Sequence, residues 1–134
     1  MKKKFYRYDE AFKELMKDYF EPFARVITDY ELLDMPKRVD ILIIEIDKPI
    51  IDYVKIFTYF KRFNIIEFKS ESDRFVIKKD LYNLGIYING VLLKENNADC
   101  LNTSFSLVTT FKPVKLLKTF KAKELYKGLY EGWF

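Results

Sequence analysis

Between residues 8 and 24 the chain reads YDEAFKELMKDYFEPFA, and its large apolar side chains return every third or fourth position. Phe12, Leu15, Met16, Tyr19, Phe20 and Phe23 fall on one stripe, with Glu10, Lys13, Glu14 and Lys17 opposite. That spacing predicts an amphipathic helix with one buried face. Asp9 lies near the edge of the stripe, where a carboxylate can cap the helix start, and Pro22 ends or bends the helix.

The period then changes. Residues 26–34, VITDYELLD, give a weak strand pattern, MPK a turn, and residues 38–46, RVDILIIEI, a strong strand. Val39, Ile41 and Ile43 alternate with Asp40, Leu42 and Ile44, so this strand is apolar on both faces and belongs in the middle of a covered sheet. After the break at DKP, the spacing of Tyr53, Ile56, Phe57 and Phe60 predicts a short crossing helix. RFNIIEFKS, residues 62–70, follows as a second two-sided strand. SESD supplies capping residues for a second long helix over about 73–89, its stripe set by Ile77, Leu81, Leu84 and Ile88 and its end by Asn89-Gly90. A polar loop, KENNADCLNTS, leads to the strand FSLVTTF, which Pro113 stops; a helical or irregular basic segment completes the chain. Leaving out the crossing helix, the order is αβββαβ. It predicts one α/β domain over residues 1–134, a small mixed sheet with helices on its faces.

Against this pattern three residues stand out. Glu67 and Lys69 share a strand face with Phe63 and Ile65, and Asp40 interrupts the other two-sided strand. A charge on such a strand is costly unless it is paired or used. If the two strands are neighbours, about 4.8 Å apart, the three side chains can converge. Two carboxylates at that separation take up protons unless a cation sits between them. With oxygen donors alone, the cation that fits is Mg²⁺ or Mn²⁺, and the backbone carbonyl of Phe68 is a further oxygen on the same strand. Lys69 would then stand beside the metal, placed to hold a water that attacks a phosphodiester. The plainer alternative is an ion pair of Glu67 with Lys69 at a strand edge, with Asp40 capping the turn after Pro36-Lys37-Arg38.

Composition narrows the chemistry further. The 134 residues are 49% hydrophobic and 33% charged, enough for an ordinary core, and thirteen Phe and ten Tyr make that core aromatic. There is no histidine, which removes His general bases, Ser–His and Cys–His pairs and His-ligated zinc. The single cysteine, Cys100, forms no internal disulfide, so a reducing, cytoplasmic setting is expected. No apolar run approaches the roughly 20 residues that span a bilayer, so no membrane partner is expected. The net charge of +4 resides in residues 111–134, where six lysines face two glutamates. Lys112, Lys115 and Lys118 are the candidates for contact with a polyanion such as DNA, whereas Lys78 and Lys79 read as solvated helix lysines.

The segments PKRVDILII and NIIEFKS, with Glu67 placed 27 residues after Asp40, resemble the PD-(D/E)xK nuclease superfamily. More narrowly, FTYFKRFNIIEFKSESD and DLYNLGIYINGVLL followed by SLVTTFKP are similar to the recombination-promoting, transposase-like nuclease family, over about residues 9–113. The resemblance implies a restriction-endonuclease-like core and divalent-metal-dependent cleavage of DNA. Asp40 matches the acid of the PD element, Glu67 the (D/E) and Lys69 the lysine. An acid of the first helix completes some such sites, and Asp9 is the better placed here. Val39 departs from the motif's proline, and the chain is short for the family, so a minimal or truncated version is one expectation. A catalytically inactive module that binds nucleic acid or protein, as partner of a longer relative, is the alternative. The apolar end, with Trp133 and Phe134, suggests a homo-oligomer contact.

Overall fold

The structure is a computed structural model that describes residues 2–28, 41–46, 57–70 and 77–132. Among these, α1 (Lys2–Phe20) is followed by β1 (Arg25–Ile27), β2 (Ile41–Glu45), β3 (Phe63–Lys69), α2 (Ile77–Lys94), β4 (Thr103–Thr109), α3 (Val114–Thr119), β5 (Lys123–Tyr126) and β6 (Leu129–Glu131). β1 to β4 form one sheet in chain order. β1–β2 and β2–β3 are antiparallel, while β3–β4 is parallel, with α2 in the connection. The predicted αβββαβ order and mixed sheet are therefore present.

The sheet is covered on both faces, as the two-sided apolar strands require. Leu42, Ile44 and Ile66 pack with Met16 and Phe20 of α1, and Phe12, Tyr19, Phe57 and Phe60 close the edge of that cluster. On the other face Ile43 and Ile65 pack with Val91 of α2, beside Tyr87, Ile88 and Phe105. The many Phe residues concentrate on the α1 side, where Phe20 contacts Phe57 and Phe60 with ring centroids 5.4 Å apart in each case.

Several local expectations are corrected. α1 starts at Lys2, so Asp9 sits inside the helix and does not cap it. The helix stops at Phe20, two residues before Pro22, which cannot donate a backbone hydrogen bond. Leu15, assigned to the buried stripe, is exposed. Of the predicted crossing helix, residues 52–56 lie outside the described residues, and Phe57–Phe60 form a tight turn closed by the Phe60 N–H on the Phe57 carbonyl at 3.0 Å. α2 runs through Asn89-Gly90 to Lys94. Glycine costs a helix only about 1 kcal/mol, and Val91, at 0% exposure, is held against the sheet one residue later. The C-terminal segment contains a hairpin that the pattern reading missed. Lys127-Gly128 turns β5 into β6, with Gly128 at φ +81°, the left-handed region that glycine enters without a Cβ clash. Of the predicted strand over 26–34, Val26 and Ile27 lie in β1, and residues 29–34 lie outside the described residues.

One buried polar side chain fastens the start of β3. Asn64 is wholly buried, and its amide satisfies both its donor and acceptor groups. Its Oδ1 accepts from the Lys61 N–H at 2.8 Å and from the Ser104 hydroxyl at 2.5 Å. Its Nδ2 donates to the carbonyls of Lys61 at 2.7 Å and Ile44 at 3.2 Å. One side chain thus ties β3 to β2, to β4 and to the preceding turn. Asn64→Ala strands those groups without water and is expected to destabilise the fold by about 2–3 kcal/mol. Urea denaturation checks this; a loss below about 0.5 kcal/mol means the network is not formed.

Candidate functional site

Glu67 lies near the C-terminal end of β3, 6% exposed. The parallel and antiparallel registers place it opposite Leu107 of β4 and Ile41 of β2. Its side chain therefore projects on the α2 face of the sheet, together with Ile65, Ile43 and Lys69. The Lys69 ammonium is 3.4 Å from Glu67 Oε1. The expected shared face for Glu67 and Lys69 is thus present, and the pair is in contact. The carboxylate is nearly buried, whereas the lysine side chain, at 24% exposure, reaches toward solvent.

The residue between them serves the other face. The Phe68 ring stacks on Phe12 of α1, centroids 4.9 Å apart and planes 19° from parallel. Its carbonyl direction follows from strand alternation. Lys69 O accepts from the Thr110 N–H on the β4 side, at 3.2 Å, and Arg62 O accepts from the Ile46 N–H on the β2 side, at 2.7 Å. Even-numbered backbone groups of β3 therefore point toward β2, and the Phe68 carbonyl is one of them. The described part of that ladder ends one residue earlier, at the Ile41–Glu67 pair.

Asp40 lies outside the described residues; its chain neighbour Ile41 is the one that pairs with Glu67. Of Asp9 the backbone is described, inside α1 and one turn before Phe12, so it belongs to the helix that packs over Phe68. Among the described residues no group of three or more His, Cys, Asp or Glu side chains is placed to hold a metal ion. The described part of the proposed donor set is the Glu67 carboxylate and the Phe68 carbonyl. Both are hard oxygen donors of the type that suits Mg²⁺ or Mn²⁺.

The basic segment leaves the sheet at the same edge. Because β3 and β4 are parallel, their C-terminal ends coincide, and Thr109 is the register partner of Lys69. Lys112 follows three residues later, so its Cα lies within about 11 Å of the Thr109 Cα. Lys112 also sits over the Tyr130 ring, 5.8 Å from its centroid, which links the hairpin to the exit of β4. Lys115 and Lys118 are one turn apart on α3, and all three lysines are exposed. None of this was legible beyond the local charge excess, since only the parallel pairing brings the two C-terminal ends together.

Other side chains take structural or surface places. The Tyr59 hydroxyl is hydrogen-bonded to Ser106, and burial pushes its phenol above the ordinary tyrosine range. Tyr87 packs on the α2 side of the core, Tyr82 is exposed, and Cys100 is an exposed loop thiol. Trp133 and Phe134 lie outside the described residues. A second ion cluster, unforeseen from the sequence, sits at the opposite end of β2. There Glu45 meets Arg25 at 2.6 Å and Arg62 at 3.6 Å, and Arg25 lies 3.6 Å from Glu95. It joins β1, β2 and the loop after α2, about 13 Å along the strand from Glu67.

Among the described residues no helix is long and apolar enough to cross a membrane. Comparison with protein-family models, with curated proteins and with solved structures finds no match.

The Glu67–Lys69 contact predicts energetic coupling. In a double-mutant cycle of Glu67→Gln and Lys69→Met, unfolding free energies are expected to depart from additivity by about 1 kcal/mol, a moderate value because the lysine is part-hydrated. Strict additivity means that the contact is not populated in solution.

Proposed function

We propose that this chain is a divalent-metal-dependent nuclease that cleaves DNA, of the PD-(D/E)xK type its sequence resembles. The observation that supports this best is the nearly buried Glu67 carboxylate at the end of a central strand, 3.4 Å from the Lys69 ammonium and in register with the chain neighbour of Asp40. Glu67, the Phe68 carbonyl and Asp40 are the residues that would hold Mg²⁺ or Mn²⁺, with Asp9 as an added acid. A bound cation of this kind polarises a phosphodiester and offsets the charge that develops in its transition state. Lys69, anchored through Glu67, donates hydrogen bonds to the attacking water or to a phosphate oxygen. The water oxygen forms the new P–O bond and releases its proton to bulk solvent, while the P–O bond to the sugar breaks and the departing oxygen takes a proton from solvent.

Lys112, Lys115 and Lys118 supply the backbone grip, at the sheet edge where Lys69 lies. The inactive binding module is the second reading. It keeps the same exposed lysines and needs no metal.

A nicking assay separates these readings, and a salt titration tests the lysines common to both. Supercoiled plasmid is expected to be nicked in Mg²⁺ or Mn²⁺, and Asp40→Ala, Glu67→Ala or Lys69→Ala each to slow nicking at least about 100-fold while the fold survives by circular dichroism. Nicking that is unchanged in Lys69→Ala and Asp40→Ala defeats the assignment. Replacing Lys112, Lys115 and Lys118 together by Ala is expected to reduce the slope of log K against log salt by about 2–3 for duplex DNA. An unchanged slope removes these lysines from the interface, whichever reading holds.

A further inference from the structure

The turn that joins α3 to the β5–β6 hairpin holds a backbone conformation that its side chain does not favour. Lys121 has φ +49°, and among the described residues it is the one residue other than glycine in the left-handed region. α3 closes there in the kind of helix end that glycine ordinarily occupies. The Lys121 N–H donates to the Lys118 carbonyl at 3.1 Å, and the Ala122 N–H donates to the Leu117 carbonyl at 2.9 Å. A lysine Cβ is crowded by its own backbone in that conformation, whereas glycine is not. A side chain kept at such a cost points to a use for it.

Packing around the turn directs that side chain outward. A Cβ at Gly132, just after β6, would lie 3.1 Å from the Cβ of Phe120 and 3.7 Å from that of Ala122. Phe120 and Ala122 therefore face the end of the hairpin, and Lys121 between them is exposed. Lys123 and Lys127 are exposed as well. Among the described residues none of these three ammonium groups is in an ion pair. Glu124, an acid of the same hairpin, turns back on it and accepts from the Gly128 N–H at 3.4 Å. Lys118 already places a cation in the last turn of α3, so the helix dipole does not call for Lys121.

We propose that Lys121, Lys123 and Lys127 contact the phosphates of a DNA duplex, and that Lys121 is held left-handed to carry its ammonium onto that surface. The assignment rests on the DNA partner proposed above and extends its contact from α3 onto the hairpin. Continuity supports it: Lys112, Lys115, Lys118 and Lys121 return every third residue from the exit of β4 to the turn. On the hairpin, Lys123 and Lys127 are at most about 13 Å apart along the strand. A duplex presents a charge about every 1.7 Å along its axis, so lysines spread in this way meet several phosphates at once. Such contacts hold and orient the duplex and do not read its sequence.

Anisotropy of a labelled duplex of about 20 base pairs, titrated with the full chain in a chelator so that no metal-dependent cleavage intervenes, tests this across a range of salt. Lys121→Gly is expected to lower the slope of log K against log salt by about 1. It is also expected to raise the thermal midpoint, because glycine relieves the turn. Lys121→Arg, which keeps the charge, should keep the slope. Adding Lys123→Gln and Lys127→Gln to Lys121→Gly should take the reduction to about 2–3. An unchanged slope in that triple variant overturns the proposal. If replacing Lys112, Lys115 and Lys118 still lowers the slope, the DNA partner stands and only the hairpin leaves the interface; if neither set lowers it, the DNA partner falls too. Lys121→Gly that lowers the midpoint and leaves the slope unchanged assigns the lysine to the turn and also overturns the proposal. So does a wild-type chain that binds phosphatidylserine vesicles and not the duplex at the same salt.

Discussion

A strand covered on both faces has no water for its polar groups, and β3 is that strand. Every polar side chain on it must find a partner inside the protein or give the molecule a use for its cost. Asn64 and Glu67 meet that constraint in different ways. Asn64 faces the α1 side and spends its whole hydrogen-bonding capacity on β2, β4 and the entering turn. Glu67 faces the α2 side near the exit of the strand, where the Lys69 side chain leads from the buried carboxylate toward solvent. The first arrangement is self-contained. The second has one end in water and can take part in chemistry.

Parallel pairing of β3 with β4 gives that open end its surroundings. Parallel neighbours finish at the same edge, so the chain that leaves Thr109 begins its basic segment next to Lys69. α2, which makes the parallel crossover possible, covers the face on which Glu67 lies. The basic segment and the Glu67–Lys69 pair are thereby brought to one sheet edge by connectivity, without any sequence proximity between residues 67 and 112. The Arg25–Glu45–Arg62–Glu95 cluster, at the far end of β2, has the character of a tie between elements: its arginines are about half-exposed, and it sits where β1, β2 and the loop after α2 converge.

How far the sequence led depended on the range of the interaction concerned. Hydrophobic period is local, so α1, α2, β2, β3 and β4 were legible, and the two-sided apolarity of β2 and β3 correctly implied a sheet covered on both faces. The shared face of Glu67 and Lys69 followed from strand alternation alone. Local signals failed where a distant contact outweighed them. Asn89-Gly90 reads as a helix end, yet α2 continues because Val91 is buried against Ile43 and Ile65. Lys127-Gly128 is a turn signal, but β5 and β6 are too short and too polar to show a strand period. The register of Ile41 with Glu67, the direction of the Phe68 carbonyl, the four bonds of Asn64 and the meeting of Lys69 with the exit of β4 were decided only by the tertiary structure. Each depends on which strands are neighbours and in what direction they run, and the spacing of residues along one chain carries no measure of that.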